Sequence, residues 1–326
     1  MSKQYHLLFF NVSNVDACGI YQYGSRLFSI LNQNGSENTK LTVEYHYLGT
    51  NLIDYQEIIS RPRPIPFDAC FYNHFWPLAR WLTSETIQRN KPNFALDHEN
   101  KTPSGIFDFT ISQDPSFPNG LCRPLFEPLT PAMPTGHQIP VIGSFGLNYF
   151  QKGWDVLIQK VNAEFDEAII RLHIPTAHYV GQEAANLSTH LVLSQVRKPG
   201  IQLIITHHIM TDQELLQFLA SNDVNAFLYQ PNEIDGPGRL SSVLDYALSV
   251  DRPICLSPSP SFKHVLSPES CVLHTPLKMI IQNGTTHLNR FRRKWSNHNL
   301  RERFYSLLVQ ACCASQPAPS ASLFFS

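Results

Sequence analysis

The sequence predicts an α/β protein made of two Rossmann-like halves in tandem. Three observations predict it. Short apolar runs alternate with amphipathic stretches along most of the chain, which is the pattern of βαβ units around a parallel sheet. The alternation breaks once, over residues 114–140, where DPSFPNGLCRPLFEPLTPAMPTGHQIP is dense in Pro and Gly, and then resumes. A chain of 326 residues is long enough for two domains of roughly 100–200 residues each.

Taken in order, Tyr5–Asn11 reads as a buried strand and Gly19–Leu31 as a helix with Leu27, Phe28 and Leu31 on one face. Leu41–Leu48 alternates as a strand does. Asp68–Tyr72 is a short strand, followed by a helix near Pro77–Arg89 and by strands at Asn93–Leu96 and Phe107–Ile111. The Pro-rich stretch reads as an interdomain linker. The second series begins with a strand at 139–145 and a helix at Lys152–Phe165. Strands at Glu167–Ile174, Ile201–Thr206, Asn225–Tyr229 and Pro253–Leu256 alternate with helices at Gln182–Val196, Asp212–Leu219 and Leu240–Leu248. Helices at Leu277–Gln282 and Leu288–Val309 close the chain. The domains are therefore set at 1–135 and 136–287, with a flexible tail at 314–326.

Composition narrows the function. Apolar residues make up 43% of the chain, enough for real cores, so wholesale disorder is excluded. Lys and Arg number 25 against 26 Asp and Glu, with no long basic block, which removes the electrostatic case for nucleic acid. The seven cysteines are widely spaced with no Cys-x-x-Cys pair, so zinc-site and disulfide-framework readings fail. No secretory leader and no run of 18 apolar residues is read, and the expected location is cytoplasmic.

Two loops carry chemistry. In GSFGLNYFQKGWDVLI a strand is read to end at Ile142, a turn to run through Gly143, Ser144, Phe145 and Gly146, and a helix to begin near Lys152-Gly153. Glycines at the carboxyl end of a parallel strand let backbone N–H groups approach a pyrophosphate, and Lys152 adds a cation. An ordinary strand–turn–helix with a solvated Lys152 is the competing reading. In NEIDGPGRLSSVLDYALSVDRPICLS a strand enters a Gly/Pro loop and a helix starts near Leu240, with Ser241 and Ser242 in its first turn. Unpaired N–H groups there, with Gly238 and Arg239, make an anion site. The competing reading is a capped helix with a surface Arg. His74, His98 with Glu99, and His207 each follow an apolar strand, hence stand at carboxyl edges. Each reads equally as a hydrogen-bonded structural residue. No His or carboxylate spacing supports a metal.

The pair of loops resembles the donor half of the retaining GT-B glycosyltransferases related to glycogen and sucrose synthases. IGSF followed by Lys152-Gly153, and VLDYALSVDRPICLS with Asp245 and Pro253, carry the resemblance over 139–266. The Gly19-Ile20-Tyr21 loop extends it more weakly to the first domain. The resemblance implies two Rossmann-like domains facing across a cleft and a hexosyltransferase of carbohydrate biosynthesis. It implies a nucleotide-sugar donor on the second domain, a glycan or other acceptor beside Gly19, Tyr21, His98 and Glu99, and retention of anomeric configuration. It also implies no metal or other cofactor, His74 and Asp245 as the catalytic residues, His74 reaching the transferred sugar and the Asp245 carboxylate the donor ribose, and a final helix, about 288–313, that returns to the first domain. Peripheral contact with a membrane and the oligomeric state stay open.

The catalytic match is weaker than the fold match. The later of two family glutamates falls on Asp245, one methylene shorter, and the earlier on Pro237, which carries no acid. The alternative is thus an inactive relative that binds a sugar nucleotide or glycan, or serves as a scaffold. A hydrolysing sugar-nucleotide epimerase and a binding protein of periplasmic type are further alternatives. A dehydrogenase is disfavoured because no G-x-G-x-x-G follows the first strand.

Overall fold

A computed structural model of the chain describes residues 4–13, 19–33, 41–49, 51–74, 79–98, 105–133, 138–147, 150–176, 194, 196, 198–230 and 240–314, with the backbone alone at 74, 97, 150 and 314. Two compact units emerge, Met1–Cys122 with His298–Ser326, and Arg123–Asn297.

The first unit is a five-stranded parallel sheet. Its strands are β1 (Tyr5–Val12), β2 (Leu41–Leu48), β3 (Ala69–His74), β4 (Asn93–Asp97) and β5 (Phe109–Ser112), in the order β2-β1-β3-β4-β5. Helix α1 (Gly19–Leu31) covers one face with Tyr23, Leu27, Ile30 and Leu31 buried. Strand periodicity puts the odd residues of β1 and β3 on that face, where Phe9 packs 4.8 Å from Phe71 and 6.0 Å from Phe28. Even residues face the other way, where Phe10, Tyr55 and Tyr72 cluster and the two tyrosine hydroxyls bond at 2.8 Å.

Tyr55 lies on α2 (Leu52–Ser60), a helix the sequence reading did not anticipate. Its start signal is Asn51, whose carboxamide oxygen accepts from the Asp54 N–H at 3.0 Å. The helix anticipated near Pro77–Arg89 does not form over its described part, 79–89, which runs as turns. Side chains there compete for the backbone: Thr86 Oγ1 accepts from the Thr83 N–H at 2.7 Å and donates to the Trp81 carbonyl.

The second unit repeats the device with another order. Its strands are β6 (Val141–Phe145), β7 (Ala168–His173), β8 (Ile201–Thr206), β9 (Val224–Phe227) and β10 (Ile254–Leu256), all parallel, in the order β10-β9-β6-β7-β8. Helix α3 (Trp154–Glu164) buries Trp154, Leu157, Ile158 and Val161 against Ile142, Ile170 and Val224. Helix α4 (Asp212–Ala220) starts at a capping box of Thr211 and Glu214, and α5 (Val243–Leu248) is entirely buried. The anticipated helix at Gln182–Val196 lies outside the described residues except at 194 and 196, neither of which is helical.

The Pro-rich stretch is hydrogen-bonded on both sides of Cys122. Leu121 donates to the Ser112 carbonyl in the first unit, and Thr130 and Met133 donate to Ser249 and Ala220 in the second. Proline bars helix there, yet isolated N–H groups still find partners.

Past α6 (Leu277–Asn283), the single helix anticipated at Leu288–Val309 is two, α7 (Asn289–Lys294) and α8 (Asn297–Ala314). The break falls where the Asn297 amide clamps Leu125, accepting from its N–H at 3.1 Å and donating to its carbonyl at 2.9 Å. Phe304 of α8 packs 5.2 Å from Phe71, on the α1 face of the first sheet. Six cysteines, at 70, 122, 255, 271, 312 and 313, are free thiols. Among the described residues no helix is long and apolar enough to cross a membrane.

Candidate functional site

Open parallel sheets bind ligands beyond the carboxyl ends of strands where the winding reverses. In the second unit that point is between β6 and β9. The two strands pair only at Ile142↔Val224 and Gly143↔Asn225, although β6 runs on to Phe145 and β9 to Phe227. The ladder stops at Gly143, two residues short of the end of each strand, at the carboxyl edge where such sheets have their crevice.

Two glycines shape its rim. Gly146 has φ 154°, and a Cβ on it would stand 3.2 Å from Lys152 Cε, so the lysine stem lies across bare backbone. Gly153, at φ 64°, approaches β9 so closely that a Cβ would stand 2.0 Å from the Leu228 carbonyl oxygen. That approach sets Lys152 against Tyr229. The ammonium stands 3.9 Å from the Tyr229 ring centroid and donates to its hydroxyl. The hydroxyl is in turn 2.9 Å from Ser241 Oγ. A cation and two hydroxyls thus line one side of the crevice. Sequence reading found Lys152 and Ser241 and missed Tyr229, whose one signal is its place just past an apolar strand.

Other anticipated donor residues fall elsewhere. Gly143 and Ser144 are inside β6, not in a turn, because the strand continues three residues past Ile142. Gly143 is small for packing: a Cβ there would stand 1.8 Å from Asn222 Nδ2. Ser144 is buried. Ser242 is the N-cap residue of α5, yet its side chain caps nothing. His207 donates from Nδ1 to the Ile174 carbonyl at 2.9 Å, which fixes its ring beside β7. Gly238 and Arg239 lie outside the described residues, as does Pro237.

A histidine not anticipated sits at the end of β7. His173 is buried, its Nδ1 is 2.9 Å from Thr206 Oγ1, and its ring is 5.6 Å from that of His208. Burial first, then the neighbouring His208 and His207, pushes its pKa down to about 4.

In the first unit the winding reverses between β1 and β3, and there the edge is closed. Asn11 and Asn73 pair at the end of their strands and are both fully buried. Asn73 Nδ2 donates to Asn11 Oδ1 at 2.6 Å and to the Ile20 carbonyl at 2.8 Å, while Asn11 Nδ2 donates to the Tyr21 carbonyl at 3.1 Å. Those carbonyls cannot donate, so both amides are oriented without ambiguity. Asn73 Oδ1 is left as the acceptor from His98 Nε2 at 2.6 Å, and His98 Nδ1 then accepts from Gln113. His98 is thereby a neutral Nε2–H imidazole spending both nitrogens on buried amides. Gly24 of α1 lets the helix lie on this network, since a Cβ would stand 2.2 Å from Asn11 Oδ1. Gly19 and Tyr21 open α1 directly above it. His74 ends β3 at the same edge, with its side chain outside the description, and Glu99 lies outside the described residues.

No protein-family model matches the chain, and no curated protein matches it by sequence. Solved structures do. The Anabaena protein Alr3699/HepE in complex with UDP and glucose superposes with a TM-score of 0.66 at 10% identity, over 93% of this chain and 99% of that one. AviGT4, a glycosyltransferase involved in avilamycin A biosynthesis, gives 0.63 at 12% identity, over 95% and 99%. Sucrose-phosphate synthase from Thermosynechococcus elongatus gives 0.58 at 12% identity, over 95% and 97%. The chain has the GT-B fold.

Within this GT-B chain, Asp245 takes a place that its sequence context did not suggest. Both its carboxylate oxygens accept from Arg123 Nε, at 2.8 and 2.9 Å, and it is only 2% exposed. The pair ties α5 to the first residue of the second unit. Among the described residues no group of three His, Cys, Asp or Glu side chains is placed to hold a metal ion.

Proposed function

We propose that the protein transfers a hexosyl group from a nucleoside diphosphate sugar to a glycan or other hydroxyl acceptor, with retention of configuration and without a metal. The observation that carries this reading is the parted β6/β9 edge with Lys152, Tyr229 and Ser241 along it. Structures of the same fold held with UDP and with UDP-glucose support it. Lys152 and the two hydroxyls take the diphosphate. The bare Gly146 backbone gives it room, and Gly143 and Ser144 form the floor below. Gly238, Arg239 and Ser242 complete the phosphate side, and His207 stands toward the base or ribose.

In the reaction the bond from the sugar anomeric carbon to the diphosphate oxygen breaks. A bond from the acceptor oxygen to that carbon forms, the nucleoside diphosphate leaves with the electron pair, and its released oxygen takes the proton that the acceptor hydroxyl loses. Lys152 stabilises the charge that develops on the leaving group, ordinarily the largest catalytic contribution. His74 is the first unit's group for the transferred sugar. His98, with both nitrogens spent, holds the acceptor-side edge in shape. Asp245 acts through Arg123 to hold α5 in place. We assign the reaction to cytoplasmic carbohydrate biosynthesis, in keeping with the free thiols.

A second reading, a GT-B-fold protein that binds a nucleotide sugar without transferring it, is favoured by the burial of Asp245 against Arg123. A thermal-shift panel of UDP-, GDP- and ADP-sugars tests binding, because a ligand stabilises the folded state by RT ln(1 + [L]/Kd). Release of free nucleoside diphosphate from the sugar nucleotide that binds then separates the two readings. The transferase reading expects release that His74→Ala lowers while donor affinity is kept. Binding without release leaves the second reading, and a panel with no hit at millimolar concentration removes both.

A further inference from the structure

Strand β2 divides its chemistry by parity. Its even residues Glu44 and His46 face Arg63 and His6, with Glu44 2.9 Å from Arg63 Nε and 2.7 Å from His46 Nε2. Its odd residues Tyr45 and Tyr47 face α1. Tyr45 is locked there. It stacks on Phe9 at 5.8 Å and 20°, packs 4.6 Å from Phe28, and its hydroxyl accepts from Asn11 Nδ2 at 2.8 Å. Tyr47 stands edge-on to Tyr45 at 5.4 Å and lies roughly parallel to Tyr21 of α1 at 6.4 Å and 26°. Its own ring is 49% exposed. The Tyr47 hydroxyl is held by hydrogen bonds to Tyr21 and Tyr45, and with the proximity of those phenols this raises its pKa above the ordinary value, so it stays neutral.

We propose that Tyr21 and Tyr47, with the locked Tyr45 behind them, form a stacking platform for a neutral hexopyranose ring at the carboxyl edge of the first sheet. That this ring is the acceptor rests on the function proposed above. The closed β1/β3 edge leaves no room for a ligand between those strands, and the platform stands beside it at the next strand over. A phenol ring presents a negative face, which suits the C–H groups on the apolar face of a pyranose. Tyrosine also brings a hydroxyl for the sugar's own hydroxyls at low cost in side-chain freedom. The ionic groups of β2 lie on its opposite face, so the platform selects an uncharged sugar.

Saturation-transfer NMR on the full chain tests this, with methyl α-D-glucopyranoside, methyl β-D-galactopyranoside and glucuronic acid as probes, each with and without UDP. A UDP titration and a thermal melt run alongside. The expected result is transfer to the ring C–H protons of a neutral glycoside, stronger than to glucuronate. Tyr47→Ala should weaken it roughly 3–10-fold and Tyr47→Phe should keep most of it. Should Tyr47→Ala lower the melting temperature, Tyr21→Ala serves as the second variant. No transfer to either neutral glycoside, equal transfer in the alanine variant, or a preference for glucuronate overturns the platform. Loss of the platform with UDP still bound leaves the nucleotide site standing, and glycoside binding without UDP binding does the reverse.

Discussion

The two sheets use one topological device and finish it in opposite ways. In the first unit β1 and β3 stay paired to Asn11↔Asn73, and the reversal point is filled by a buried chain of amides and a neutral imidazole. In the second unit β6 and β9 part after Gly143↔Asn225, and the same point is lined by an ammonium, a phenol and a serine hydroxyl. The difference teaches that strand order alone does not place a ligand. A reversal point offers a crevice only where the last ladder residues let the strands separate. Buried polar residues at such an edge can close it as firmly as apolar ones do.

The frame of the open edge should break most severely. Asp245→Asn removes one charge of a pair that is 2% and 6% exposed, taking from the buried Arg123 guanidinium the carboxylate to which it donates. Loss of one partner of a buried pair costs about 3–5 kcal/mol, so urea unfolding should show a drop of that size. Unchanged stability with lost nucleotide affinity would instead put Asp245 in contact with the donor.

The closed edge should break next. Asn73→Leu keeps the branched outline of the side chain and removes the amide that bonds Asn11 Oδ1 and His98 Nε2, at about 1–3 kcal/mol for each lost bond. The expected loss is about 2–4 kcal/mol with UDP affinity unchanged, read by urea unfolding and calorimetry. A loss too small to measure would mean that this edge is not held by its amides.

His173 gives the open side a pH signature. Its folded pKa of about 4 lies below the ordinary 6.5, so between those values the unfolded chain binds the extra proton. Stability present above pH 6.5 is therefore lost as pH falls toward 4, by up to about 3 kcal/mol. The variant His173→Gln should flatten the melting temperature over that window relative to the native chain. An unchanged slope would assign the loss to other groups.

Much of the fold was legible in the sequence, and the reason is periodicity. Gly19–Leu31, Leu41–Leu48 and Ile201–Thr206 read correctly because their apolar spacing is long and regular. α2 was missed because Leu52–Ser60 is short and half exposed, and the Pro77–Arg89 helix was overcalled because its Thr and Ser side chains take the backbone's partners. Lys152 and Ser241 were legible as polar residues at anticipated helix starts. Tyr229 was not, since an aromatic residue after an apolar strand reads as core. The Asn11, Asn73, His98 and Gln113 chain could not be read either. Its members lie 62, 25 and 15 residues apart, and only the register of four strands brings them together.

That the β6/β9 edge is a nucleoside diphosphate site is tested most directly by calorimetric titration of UDP into the native chain and Lys152→Ala. A charge-assisted hydrogen bond is worth about 1.5–3 kcal/mol, so the variant should bind about 10–150-fold more weakly with its melting temperature preserved. Equal affinity in the two proteins, or no binding of UDP, GDP or ADP by the native chain at millimolar concentration, would contradict it.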